Sequence, residues 1–203
     1  MALTIWKEVG KTNAIRSEVG SLTGNDSSVE IVCTAAPVHV RSFSSATEHG
    51  QLLVEDTDYT ISSATITLDS APATGTMVVA FSAGEYIFEG LTAQGNTAVT
   101  ADRTLEQQIF IAVDDINATD IVVSLNDYLA GSGLATNSHY LAADNSGSPD
   151  TYESAGASLT VGDKADGSVT PIWVKAILPE NTTMNNYHDI YLKAEFNAFS
   201  TNL

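Results

Sequence analysis

The sequence predicts an all-β fold made of two antiparallel modules. Three observations carry that expectation. Short segments alternate apolar and polar residues with the period of two that places every second side chain on one face of a sheet. Clusters of Gly, Pro, Asn, Asp and Ser separate these segments. The 3.6-residue apolar spacing of an amphipathic helix is scarce along the whole chain.

The elements follow in order. Residues Lys11 to Gly20 have no clear period and read as a short helix or an extended arm, and Ser21 to Ser28 as a turn-rich loop. Val29 to Thr34 reads as a strand. Val38 to Phe43 reads as another, with Val38 and Val40 facing one way and His39, Arg41 and Phe43 the other. A meander follows: Tyr59 and Ile61, then Ile66 and Leu68 after a Ser62-Ser63-Ala64 turn, then Met77 to Phe81 after Ala71-Pro72-Ala73-Thr74-Gly75. The nearly continuous apolar run of Met77 to Phe81 is that of a strand covered on both faces. Gly84 to Thr104 reads as a connector, with a boundary near residue 95.

Beyond the connector the same pattern resumes. Leu105 to Val113, Ile121 to Leu125, His139 to Ala142 and Ser158 to Val161 read as strands. In the next strand Ile172, Val174, Ala176 and Leu178 share a face, with Trp173, Lys175 and Ile177 opposite. The last sets Ile190, Leu192, Ala194 and Phe196 inward and Tyr191, Lys193, Glu195 and Asn197 outward. The expected organisation is therefore an N-terminal β module with an N-terminal arm over residues 1–95 and an immunoglobulin-like β-sandwich over 96–203, without the cysteine pair of antibody domains.

Composition narrows the function. The chain of 203 residues holds 25 acidic against 8 basic side chains, a formal charge of −17, so its surface repels nucleic acid and anionic lipid. The expected partners include neither nucleic acid nor membrane. No apolar run approaches the roughly 20 residues that span a bilayer. Met1 to Glu8 lacks the basic segment and long apolar core of a secretory signal. The expected place of synthesis is a cytoplasm. The single cysteine, Cys33, excludes a disulfide within the chain and lies in a strand-like run, as a small buried hydrophobe does.

Few motifs carry chemistry. His39, His49, His139 and His188 are scattered, with no metal-ligand spacing, and no nucleophile elbow or phosphate loop occurs. No catalytic residue, cofactor or transition-metal site is assigned. Carboxylates gather at Glu55-Asp56-Asp58, at Asp114-Asp115-Asp120 and in the loop from Asp144 to Asp150. That loop sets Asp144, Ser146, Ser148 and Asp150 at alternate positions, as calcium loops do. It lacks the acidic residue an EF-hand needs eleven places after its first Asp, where Ala155 stands. It is a weak calcium candidate beside the plainer reading as a turn. Trp6 lies near the chain terminus, where a small module has difficulty burying it. With Leu3 and Ile5 it forms the expected subunit-interface anchor, because aromatic anchors dominate interfaces.

Two blocks resemble β modules of tailed-bacteriophage virion proteins. The first runs from Pro37-Val38-His39-Val40-Arg41 through Asp58-Tyr59-Thr60-Ile61 to Ala71-Pro72-Ala73-Thr74-Gly75-Thr76, with the V-x-V, DYT, TIT and APA-x-GT signatures in order. The second includes Leu159-Thr160-Val161-Gly162, Gly167-Ser168, Pro171-Ile172-Trp173-Val174-Lys175 and Asp189-Ile190-Tyr191-Leu192. The resemblance implies a non-enzymatic virion part: a capsid decoration or cement protein, a neck protein, or a tail or baseplate adaptor. Its implied partners are major capsid, neck or tail subunits and further copies of itself. The alternative expectation is a bacterial surface or carbohydrate-binding β-sandwich with loop-bound calcium.

Overall fold

The computed structural model describes residues 2–15, 18–44, 47–84, 87, 103–127, 138–178 and 190–199. Among them the protein is nearly all β, with fourteen strands, every strand pairing antiparallel, and no helix. The strands form two four-stranded and two three-stranded sheets.

The first unit is built from β2 (Glu18–Thr23), β3 (Glu30–Val32), β4 (His39–Ser44), β5 (Thr47–Leu52), β6 (Tyr59–Ser62), β7 (Thr65–Leu68) and β8 (Met77–Phe81). One sheet has the order β2-β8-β4-β5 and the other β3-β7-β6. Their facing sides share one core: Val19, Val40, Val78 and Ala80 from the larger sheet, Ile31, Tyr59, Ile66 and Leu68 from the smaller, with Cys33 among them. Burial pushes the Cys33 thiol pKa up. The apolar run of β8 has the expected cause. Val78 and Ala80 enter this core, while Val79 and Phe81 enter a separate cluster with Phe43 on the other face.

Several expectations in this unit are revised. Of the two readings of Lys11 to Gly20, short helix or extended arm, its described residues show no helix, and its last residues open β2, which extends into the predicted loop. Val40 on β4 is buried, but Val38, just before the strand, is exposed and Phe43 is fully buried on the opposite face. Alternation alone assumes one wet face, and here both faces of the sheet are covered at Phe43. Strand β5, paired with β4, has no counterpart among the strands expected from the sequence.

The second unit comprises β9 (Arg103–Asp114), β10 (Asn117–Asp127), β11 (His139–Ala143), β12 (Leu159–Lys164), β13 (Val169–Leu178) and β14 (Ile190–Phe199), with β1 (Ala2–Trp6) added from the start of the chain. The sheet orders are β1-β9-β13-β11 and β12-β10-β14. Successive strands from β9 to β14 alternate between the two sheets or cross between them. The β9 to β10 passage turns at Asp115, whose φ is +61°, and drops Ile116 into the core between the layers. Ile109, Ile111, Leu141, Ile172 and Val174 from one sheet meet Ile121, Val123, Leu125 and Leu159 from the other. Of the inward sets expected on β13 and β14, Ile172, Val174 and Ala176 are buried and Leu192, Ala194 and Phe196 pack against the core, while the side chains of Leu178 and Ile190 lie outside the described residues.

Strand β1, expected as part of an arm on residues 1–95, pairs with a strand of the second unit. Ala2 to Trp6 pair residue for residue with Asp114 to Phe110 of β9. Leu3 and Ile5 lie against the second core, and Ile15 is buried in it. The chain turns back after β1, with Ile15 N donating to Ile5 O at 2.8 Å and Lys7 N to Asn13 O at 2.8 Å. Glu8 closes this loop by accepting from Asn13 N, Asn13 Nδ2 and Thr12 Oγ1. Lys11 pairs with Asp114. Residues 18–81 are thus inserted between two neighbouring strands of one sheet. The expected boundary near residue 95 lies outside the described residues.

Candidate functional site: an aromatic sheet face

Strand alternation sends one set of β9, β11 and β13 side chains into the second core and the other set outward. The registers align the outward residues in rows. Trp6, Phe110 and Pro171 stand across β1, β9 and β13; Gln108, Trp173 and Ala142 form the next row; Glu106, Lys175 and Tyr140 the third. Trp6, Phe110, Trp173 and Tyr140 are half-buried, neither core nor free surface. Segments more than 160 residues apart in sequence supply this face, so Trp6 and Trp173 stand out only singly along the sequence and Phe110, Tyr140 and Tyr152 carry no local mark of it. The signal available was the outward parity of Trp173 and Lys175; the register that gathers their neighbours was not.

Asp144 organises one side of the face. Its Oδ1 accepts from Trp173 Nε1 at 2.8 Å and from Gln108 Nε2 at 2.7 Å, and its Oδ2 accepts from Gly147 N at 3.0 Å. The Trp173 indole, then the Gly147 amide and to a smaller extent Gln108 hold its carboxyl below the ordinary carboxylate range. Trp6 is held differently, its Nε1 donating to Thr4 Oγ1 at 2.8 Å on the same strand.

Lys175 organises the other side. Its ammonium lies 3.7 Å from the centroid of the Tyr152 ring and 4.6 Å from that of Tyr140, both within the range of cation–π attraction. Tyr152 arrives from the segment after the Asp144 loop, which is bonded alongside β11 by Asp150 N to Ala143 O and Glu153 N to Leu141 O. The Tyr152 hydroxyl oxygen is buried without a well-formed hydrogen bond from the protein. Burial, and secondarily the Glu106 carboxylate beside it, push its pKa up.

The remaining expected site residues fall as follows. Leu3 and Ile5 point into the second core, whereas Trp6 belongs to the outward face. Asp144, Ser146, Ser148 and Asp150 lie in a closed turn. Asn145 and Ser148 exchange backbone hydrogen bonds, Asp144 bridges Pro149, and Asp150 Oδ1 accepts from Thr151 N at 2.7 Å. The carboxylate oxygens of Asp144 are thereby committed to protein donors. Other carboxylates also serve turns: Asp58 accepts from Val54 N, Asp163 from Asp120 N and Asp166 from Asp115 N. No group of three or more His, Cys, Asp or Glu is placed to hold a metal among the described residues. His139 is buried with its Nδ1 3.1 Å from Ser138 Oγ. His188 lies outside the described residues, as do the side chains of His39 and His49. No described helix is long and apolar enough to cross a membrane.

Comparison of the chain with protein-family models, with curated proteins and with solved structures gave no match.

Proposed function

We propose that this protein is a non-enzymatic structural component of a bacteriophage virion that binds neighbouring capsid or tail subunits and stabilises or decorates the particle. The carrying observation is the outward row of half-buried aromatics on the β1-β9-β13-β11 sheet, with Trp6 and Phe110 side by side. Interface cores concentrate such side chains, because a ring offers a large desolvated area at low conformational cost. The V-x-V, DYT, TIT and APA-x-GT signatures support the virion assignment. We read the second unit as an immunoglobulin-like sandwich, since its seven described strands divide four and three around one core. Other virion proteins are its partners in this reading, and the virion is its location.

The test is compositional. Particles purified from cells producing the parent phage contain the chain at a copy number matching a symmetry axis of the capsid or tail, read by quantitative mass spectrometry. Trp6→Ala with Phe110→Ala lowers that copy number while the melted fraction at growth temperature stays unchanged. Particles devoid of the chain would sink the proposal.

The same aromatic face favours a second reading, a carbohydrate-binding surface protein, because sugar rings also stack on half-buried indoles. That reading expects the melting temperature to rise with a soluble glycan through linkage. Its calcium component requires Asp144 to release Trp173 and Gln108, so calcium alone would then quench or shift Trp173 fluorescence.

A further inference from the structure

Strand β14, Ile190–Phe199, is the edge of its sheet, bonded to β10 on one side and to no other described strand. Ten residues make a long edge, and such edges pair with other chains unless charge, proline or a bulge prevents it. No proline interrupts β14. Its inward residues Leu192, Ala194 and Phe196 are only partly buried, whereas Ile121, Val123 and Leu125 on neighbouring β10 are buried. The core thins toward this edge.

We propose that β14 pairs antiparallel with β14 of a second copy about a two-fold axis at Ala194. The residues around Ala194 are chemically self-complementary. In that register Lys193 stands opposite Glu195 of the second copy, and Glu195 opposite its Lys193. Leu192 meets Phe196 in the same way, on the core side. Both members of each ion pair point outward, since Lys193 and Glu195 are exposed and within one chain already lie 2.7 Å apart. The two-fold registers centred on either neighbour of Ala194 are worse. Centring on Lys193 or on Glu195 places like charges face to face, and a one-residue slip turns the apolar set to water. The product is one continuous sheet, β12-β10-β14-β14-β10-β12, and the second copy covers Leu192 and Phe196. This gives the expected homo-oligomer a defined surface and deepens the assembly reading. It is measured on the isolated chain, so its failure leaves the particle-composition test intact.

Sedimentation velocity of the full chain over a micromolar concentration range, near 0.15 M salt, tests it with charge reversals. Wild type dimerises reversibly. Lys193→Glu and Glu195→Lys each turn two opposite-charge cross-strand pairs into like-charge ones and weaken the dimer about tenfold or more. Mixing the two variants regenerates complementary pairs, so the mixture forms heterodimers that neither variant forms with itself. The double exchange Lys193→Glu with Glu195→Lys returns wild-type affinity. A wild type that stays monomeric overturns the proposal, as do single variants that dimerise unchanged or a mixture no stronger than its parts. A simple fold defect in either single variant would not be repaired by mixing.

Discussion

Tyr152 shows how a single side chain can be useful in one part and costly in another. Its ring holds Lys175, while its hydroxyl oxygen is buried without a good partner. An unsatisfied buried hydroxyl costs about 1–3 kcal/mol, so Tyr152→Phe, which keeps the ring, leaves the melting temperature unchanged or raises it. A clear fall on thermal denaturation would show that the hydroxyl is satisfied. Asp144 makes the opposite case, a carboxylate whose partners favour its charged form. Its folded pKa lies below the unfolded value of about 3.9. The linked stability is therefore present above that value and disappears as pH falls through the folded pKa. Trp173→Phe removes the leading donor. It moves the Asp144 carboxyl titration, followed by carbon-detected NMR, upward toward the ordinary range. Gly24 makes a third prediction. A Cβ there would lie 2.2 Å from the Ala73 carbonyl oxygen and 2.7 Å from that of Pro72. Backbone atoms cannot retreat as a flexible side chain does, so Gly24→Ala destabilises by about 1–3 kcal/mol or more, measurable by urea unfolding.

At the scale of elements, β1 with its return loop is the least expected piece. It completes a sheet whose next strand in sequence order lies beyond the inserted first unit. Removing residues 1–15 takes Leu3, Ile5 and Ile15 from the second core and leaves the β9 edge bare. Ile15 is buried and Leu3 and Ile5 in part, which together contribute roughly 3–6 kcal/mol, a large share of the stability of many domains. The truncated chain is expected to lose protection of β9 and β10 amides in hydrogen exchange. A peptide of residues 1–15 added in trans restores it, whereas one carrying Ile5→Asp does not. The expected elements with strict alternation, β13 and β14, were legible because each has one dry face. Strand β1 was not legible: Leu3 and Ile5 alternate correctly over only five residues, and nothing local names the partner.

For the whole molecule, the charge of −17 is the dominant long-range term. Like charges repel in the compact state and are relieved by unfolding, and salt screens them. The melting temperature should therefore rise between about 10 mM and 150 mM sodium chloride. A flat or falling profile in differential scanning calorimetry would mean that local ion pairs outweigh the net repulsion. The two units are joined by the chain twice, between β1 and β2 and between β8 and β9, because one is inserted in the other. Thermal unfolding of β1 is thus linked to the second unit although it precedes the first.

The sequence alone determined the β class, the antiparallel alternation and the exclusion of a disulfide within the chain. These depend on the period of the side chains and on turn residues, both of which are local. Only the tertiary structure decided that β1 joins β9, that Phe43 is buried on the second face of its sheet, and that Trp6, Phe110, Trp173 and Tyr140 share one surface. Register across non-neighbouring strands makes those decisions. It is set by which apolar faces bury each other best, a property of pairs of segments that no single segment contains.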